Sequence, residues 1–301
     1  MGYLNRTKDR HSEESYCPPV ADLEFDSLDT IRIAGERRSL RPAAQGAVAN
    51  RLNVPITYLR RCPDWLQKAN LAHWLPLERN ESLFIRFDGD VVRALFTPRY
   101  RPLDHPTVLE RLEDLGYGPD TRVQCQLDDE FMNLSIPDAG KTFTVGAGDR
   151  ITPGISVSNS EVGIASLSLS AYFLRLVCSN GLVAKTEMTA SYRHVSTRIL
   201  NDFPEALGKV ARELEHKRNQ FHLSVNSPVD NPLASIARFN REFTVAKLEA
   251  QAVEWGWAHE PTPTMFGIVN AYTKGSQHER LPVEASYHLQ RVGGAILSMV
   301  Q

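Results

Sequence analysis

Long hydrophobic runs are missing from this 301-residue chain. No stretch approaches the roughly 20 apolar residues of a membrane-spanning helix, and Met1–Tyr16 lacks the apolar core of a signal peptide. A cytoplasmic protein with no membrane partner is therefore expected. Cysteine is scarce as well. Cys17, Cys62, Cys125 and Cys178 stand tens of residues apart, without the close pairs of a zinc ribbon or a thioredoxin-like motif, which leaves reduced and mostly buried thiols. The nine histidines, His73, His105 and His194 among them, form no ligand pattern, so neither a metal site nor a cofactor is expected. What the chain does have is ordinary globular composition, at a length that accommodates one large domain or two smaller ones.

The formal charge of −2 conceals a segregation. From Arg32 to Arg101 thirteen Lys and Arg face six acids, whereas Pro102 to Val162 holds four against eleven. Within the first stretch Arg32, Arg37, Arg38, Arg41, Arg51, Arg60 and Arg61 are opposed only by Glu36 before Asp64. Arginine in this abundance suits bidentate contact with phosphates or carboxylates. The two readings of the pattern are a nucleic-acid footprint and an internal or intersubunit charge match.

Residues 1–31 are expected to form a flexible tail, polar and without apolar period over Asn5–Pro19. Pro42–Leu52, with Ala44, Val48 and Leu52 at helical spacing, reads as a helix ended by Asn53-Val54-Pro55. A short helix over Thr57–Arg61 and a third from Pro63 follow, with Leu66, Ala69, Ala72 and His73 on one face and Trp65 and Trp74 anchoring the packing. The set loosely suggests a helix-turn-helix but has no turn glycine and no recognition helix.

From Ser82 the period becomes two. Leu83–Phe87 and Val91–Phe96 around Asp88-Gly89-Asp90 predict a hairpin, and Arg122–Gln126 and Phe131–Ile136 predict two more strands around the solvated turn Asp128-Asp129-Glu130. Between them His105–Leu115 reads as a helix stopped by Gly116. In Ser166–Phe173 Leu167, Leu169, Ala171 and Phe173 take one face and the serines and Tyr172 the other, so one side packs and the other is polar. Arg175 shares the apolar parity of Phe173, implying a bulge or a carboxylate partner, for which Glu161 is the nearest candidate. Phe203–Gln220, Asn231–Trp257 with a break near Thr244, Thr264–Tyr272 and Leu281–Met299 read as helices. The expected fold is α+β, with a helical N-terminal segment, a central antiparallel β-sheet and a helical C-terminal region. Its expected division is the tail 1–31, a helical entry plus sheet core over 32–200, and helices over 201–301 packing on that core or on a neighbouring subunit.

Several segments carry a resemblance. Asn53-Val54-Pro55 with Tyr58 and Trp74-Leu75, Arg99–Asp104, Val157–Gly163, Leu176–Gly181 and Gly267–Tyr272 resemble, in order over Leu40–Gly294, the motifs of the phage/plasmid-like proteins, domain of unknown function 932. Thr97-Pro98 departs from the Ser-Asp pair expected before Arg99. The resemblance implies carriage on mobile elements and supplies no reaction.

The function expected is a non-enzymatic, homo-oligomeric nucleic-acid-binding protein, similar in role to phage single-strand annealing proteins in recombination. Arg60, Arg61, Arg99, Arg101, Arg175 and Arg193 are the candidate phosphate contacts on single-stranded DNA, and Tyr100 and Tyr192 the stacking faces. Two alternatives stand beside it. One is a scaffold for a partner protein of a mobile element. The other is a metal-dependent enzyme acting on nucleotides or nucleic acid, with Glu161 and His194 as catalytic candidates alongside Asp104, although no partner base, acid or nucleophile stands at a spacing that chemistry demands.

Overall fold

The computed structural model describes residues 15–145, 149–175, 182–192 and 199–300. The chain divides into two compact units, one formed by residues 1–111 with 160–165 and 194–197, the other by 112–159, 166–193 and 198–301.

The first unit is built on a six-stranded sheet. Its strands are β1 (Ser15–Tyr16), β2 (Leu23–Phe25), β3 (Thr30–Ile33), β4 (Glu36–Leu40), β5 (Phe84–Asp88) and β6 (Val91–Phe96), in the spatial order β1-β5-β6-β4-β3-β2. The pairs are antiparallel except β4 with β6, which run parallel. A parallel pair needs a long crossover, and here it holds three helices: α1 (Pro42–Arg51), α2 (Ile56–Leu59) and α3 (Asp64–Trp74). Alternation drives the early strands: Leu23 and Phe25, then Ile31 and Ile33, point into the core, while Glu24 and Arg32 stay outside. Ala34 and Gly35, both with positive φ, supply the two-residue turn between β3 and β4. Helix α1 lays Ala44 and Val48 on that core, and Asn53 at φ +55° ends it.

The N-terminal helical segment expected above is therefore corrected. The three helices exist, but they are insertions into a mixed sheet whose strands begin at Ser15, inside the stretch assigned to a flexible tail. The sheet here is not purely antiparallel either.

Helix α3 departs from its expected facing. Its buried residues are Gln67 and Leu71, four apart, whereas Trp65 is 70% exposed and Trp74 41%. Gln67 does the anchoring: its side chain accepts the Leu28 N–H at 2.7 Å and donates to the carbonyls of Leu59 and Cys62. The thiols also differ from expectation, since Cys17 and Cys125 are exposed and Cys62 is half-buried; Cys178 lies outside the described residues.

Helix α4 (His105–Asp114) leads into the second unit, and Gly116 at φ +94° follows it. That unit's sheet contains β7 (Gln124–Leu127), β8 (Phe131–Pro137), β9 (Phe143–Val145), β10 (Asp149–Ser160), β11 (Leu167–Arg175) and β12 (Leu182–Tyr192), ordered β12-β11-β10-β8-β7 with β9 on β10. Asp128 closes the β7–β8 turn by accepting the N–H groups of Glu130 and Phe131, a structural role for the acidic run. The serine-alternating strand is buried on both faces: Ser168, Ser170 and Tyr172 are as enclosed as Leu169 and Phe173. Register explains this, because Ser156 and Ser158 of β10 stand opposite Ser170 and Ser168 of β11, so small polar residues meet small polar residues under a covered face. The Tyr172 hydroxyl donates to Gln124 at 2.7 Å.

Among the described residues five helices complete this unit: α5 (Ile199–Val225), α6 (Pro232–Glu242), α7 (Lys247–His259), α8 (Met265–Gly275) and α9 (Val283–Ser298). The break between α6 and α7 falls at Thr244, which has φ +53°. Helix α8 is buried nearly all round, and α7 crosses it closely because both carry glycine at the contact. Among the described residues no helix is long and apolar enough to cross a membrane.

Candidate nucleic-acid interface and a buried ion cluster

In the first unit the arginine-rich stretch separates into two populations. Arg32 and Arg37 reach Asp26, Arg38 binds Glu36 and Asp90, Arg41 binds Asp88, and Arg51 lies 3.5 Å from Glu78. These five are matched within the unit, and the acids just named, Asp26, Glu36, Glu78, Asp88 and Asp90, all precede the acidic stretch 102–162. Arg60 and Arg61 are different. Both are exposed, and among the described residues neither forms an ion pair.

The backbone explains their position. Helix α2 buries only Leu59, Pro63 precedes α3, and the turn between them is closed by the N–H groups of Arg61 and Cys62 bonding to Tyr58 and Leu59 carbonyls. The two guanidinium stems are left on the outside of a tight corner. Aromatic surface flanks them, Tyr58 at 44% exposure before and Trp65 after. Trp65, Ala69 and Ala72 follow helical spacing on an outward stripe of α3. Sequence reasoning missed Tyr58 and Trp65 as surface groups because a large aromatic at helical spacing usually packs inward. The signal that marks them is Gln67 and Leu71, which define a different buried stripe.

The loop Thr97–Asp104 carries the second expected cluster. Arg99 and Arg101 are exposed and have no ion pair among the described residues. Tyr100 between them is 5% exposed, stacked on Phe96 at 3.6 Å between ring centroids and tilted against Phe84 at 5.6 Å. Burial pushes its hydroxyl up to about 12. This corrects the stacking role given to Tyr100, whose ring is spent inside the fold.

Beneath that loop lies Glu161, 1% exposed. It sits in a segment that begins with a hydroxyl-capped turn: Ser160 Oγ accepts the N–H groups of Val162 and Ile164. Gly163, at φ +80°, packs so tightly on Phe96 that a Cβ there would lie 2.4 Å from the ring. Glu161 Oε2 accepts from Arg93 Nη1 at 3.0 Å, and Oε1 accepts the His105 backbone N–H at 2.8 Å. The Glu161 carbonyl takes Arg86 Nη1 and the Tyr100 hydroxyl, both at 3.3 Å, and Arg86 pairs with Asp104 at 2.7 Å. Burial pushes the Glu161 carboxyl up, but the His105 side chain and N–H together with Arg93 outweigh it and hold the group below the usual carboxylate range. The cluster encloses the carboxylate and engages both of its oxygens. Arg86, Arg93 and His105 were not singled out in the sequence as partners of Glu161, and no local spacing marks them.

The remaining expected site residues fall elsewhere. Arg175 and Tyr192 end β11 and β12 in the second unit, and Arg193 and His194 lie outside the described residues. In the β11–β12 pairing, register shifts fall around Ser170, which places the irregularity expected near Arg175 several residues earlier. Among the described residues no three His, Cys, Asp or Glu side chains gather so as to hold a metal ion.

A family model described as a domain of unknown function (DUF932) matches residues 94–292. The match begins at the middle of β6, so Asn53-Val54-Pro55, Tyr58 and Trp74-Leu75, quoted above for the resemblance, fall outside it, as do Arg60, Arg61 and Trp65. No curated protein and no solved structure matches the chain.

Proposed function

The chain belongs to the DUF932 family, and from that premise, which attaches no activity, we propose that it is a nucleic-acid-binding protein whose first unit holds single-stranded DNA on the α2–α3 corner. Arg60 and Arg61 contact consecutive phosphates, and Tyr58 and Trp65 offer faces on which bases stack. The observation that carries the reading is the sorting of the arginines: five of seven are neutralised at home, and the two that are not stand between exposed aromatic rings. Sequence-tolerant binding of single strands combines these two elements, cations tracking the backbone and aromatic rings under the bases. Arg99 and Arg101 provide a second phosphate contact without stacking. The setting proposed is cytoplasmic, in recombination on a mobile element, with the protein acting as a homo-oligomer along the strand.

The enzyme reading is not favoured, because its main candidate, Glu161, has both carboxylate oxygens engaged in a closed cluster. Fluorescence anisotropy of a labelled single-stranded oligonucleotide, titrated over a salt series with duplex as competitor, tests the proposal. Binding that weakens steeply with salt and resists duplex competition supports it. Absence of binding at low salt overturns it and turns the corner into a surface for a protein partner.

A further inference from the structure

A cavity of about 760 Å³ opens in the first unit, away from the α2–α3 corner. Trp65 and Trp74 are nine residues apart on α3, which is two and a half turns and so opposite faces. Trp74 lines the cavity, whereas Trp65 belongs to the outward stripe. The volume lies in the range of small-ligand sites.

Its walls come from the end of α1, the end of α3 with the turn after it, the end of β6, and Val162 and Gly163 after β10. Asn50 and Asn53 present side-chain amides that have no hydrogen-bond partner among the described residues. Glu78 is fixed in the wall: its carboxylate accepts the Asn80 N–H at 3.0 Å and Asn80 Nδ2 at 2.6 Å, and lies 3.5 Å from Arg51 Nη1. Burial pushes Glu78 up, but the two Asn80 bonds and Arg51 together hold it below the usual carboxylate range. Arg51 is thereby neutralised. Arg79 is exposed, lines the same cavity and has no ion pair among the described residues, so the lining carries one uncompensated positive charge. Two aromatic rings complete it, Trp74 and Phe96, the latter already covered on one face by Tyr100.

We infer that this cavity binds a nucleoside monophosphate, with the base against Trp74 and read by the Asn50 and Asn53 amides, and the phosphate on Arg79. Each side-chain amide offers both a donor and an acceptor, the complement of a base edge. A planar guanidinium without a carboxylate suits a phosphate, while the fixed carboxylate of Glu78 keeps the anionic group at the Arg79 side. An indole supplies the stacking face that every base shares. The inference rests on the cavity alone and does not depend on the strand-binding corner.

Isothermal titration of the full chain with AMP, GMP, CMP and dTMP, and with inorganic phosphate and adenosine as partial probes, tests it. At least one monophosphate is expected to bind saturably and more tightly than either partial probe. Arg79→Ala, a change at an exposed side chain with no ion pair among the described residues, is expected to weaken that binding about tenfold or more, as loss of a charge-assisted hydrogen bond does. Arg60→Ala with Arg61→Ala leaves it unchanged, which separates this site from the strand surface. An oligonucleotide that displaces the monophosphate in the Arg60/Arg61 variant shows that a strand's own nucleotide enters the cavity, and one that does not leaves the free nucleotide as the ligand. Absence of saturable binding by all four monophosphates, or binding indifferent to both Arg79→Ala and Trp74→Ala, overturns the inference.

Discussion

The Glu161 carboxylate accepts the backbone N–H of His105 at 2.8 Å, and through that bond the turn after β10 secures the start of α4. The same carboxylate is the counterion of Arg93, a buried arginine in the middle of β6. Removing its charge breaks the 3.0 Å ion pair with the enclosed Arg93, and breaking a buried pair from one side costs about 3–5 kcal/mol. Glu161→Gln is therefore expected to lower the stability of the first unit by that order, measured by urea denaturation at pH 7 with tryptophan fluorescence. Wild-type stability at pH 7 with intact folding of the variant refutes the assignment.

The same group predicts a pH dependence. Glu161 is held below its ordinary value of 4.5, so the folded protein resists protonating it more than the unfolded chain does. Its contribution is fully present above pH 4.5 and is lost as pH falls through the lower folded value. Wild type is expected to lose more stability than Glu161→Gln between pH 6 and pH 3, which parallel denaturation curves resolve. Equal losses remove Glu161 from the acid response.

Arg60→Ala with Arg61→Ala bears on the strand surface. Each phosphate contact on a single strand contributes about 0.7 to the slope of log affinity against log salt, so losing two is expected to flatten the slope by about 1.4. Because neither side chain has an ion pair among the described residues, the melting temperature should not move. An anisotropy series at four salt concentrations reads the slope. An unchanged slope removes the corner from the interface.

Legibility in the sequence followed contact range. The β5–β6 hairpin was readable because its turn, Gly89 at φ +57° with Asp90, and both apolar runs lie within fifteen residues of one another. Helix α1 and the break at Thr244 were readable for the same local reason. Strands β2 to β4 were not, because they are three to five residues long, Glu24 and Arg32 interrupt the apolar set of β2 and β3, and β4 carries Arg37 and Arg38 side by side with Leu40 as its one apolar residue. The three arginines read as part of a binding stretch, when each pairs with an acid of its own unit. Glu161 stood out in the sequence, but its partners Arg86, Arg93 and His105 are 75, 68 and 56 positions away, and only the folded chain brings them together. Tyr100 misled through its neighbours: two arginines that face solvent flank a ring that does not.

Trp65→Ala separates stacking from folding. A tryptophan 70% exposed contributes little to the core, so the variant should unfold within about 0.5 kcal/mol of wild type. If a base stacks on it, single-strand affinity falls by roughly 1–3 kcal/mol, about 5- to 150-fold. Retained affinity in the anisotropy assay would leave the arginines as the sole contact and remove stacking from the mechanism.

The second unit offers a test of its helical packing that is independent of any ligand. Gly275 of α8 lies so near α7 that a Cβ would stand 2.7 Å from the Ala252 carbonyl oxygen and 3.0 Å from the Val253 Cα, both backbone atoms that cannot rotate away. Gly256 meets α8 in the same manner from the other side, 2.3 Å from the Ala271 carbonyl oxygen. The two helices must therefore separate to admit a methyl group. That movement would also strain the hydrogen bonds by which the Tyr272 hydroxyl holds α6, to the Ile236 carbonyl and to Asn240. Alanine ordinarily stabilises a helix interior by about 1 kcal/mol over glycine. Overpacking of this kind costs about 1–3 kcal/mol, and with backbone as the obstacle the steric cost should win. Gly275→Ala is thus expected to lower the stability of the second unit, whereas the same change at half-buried Gly118, where no atom lies within 4 Å of the added carbon, should not. Thermal unfolding of the two variants followed by circular dichroism at 222 nm decides the point, and equal melting temperatures would mean that α7 and α8 do not meet at these glycines.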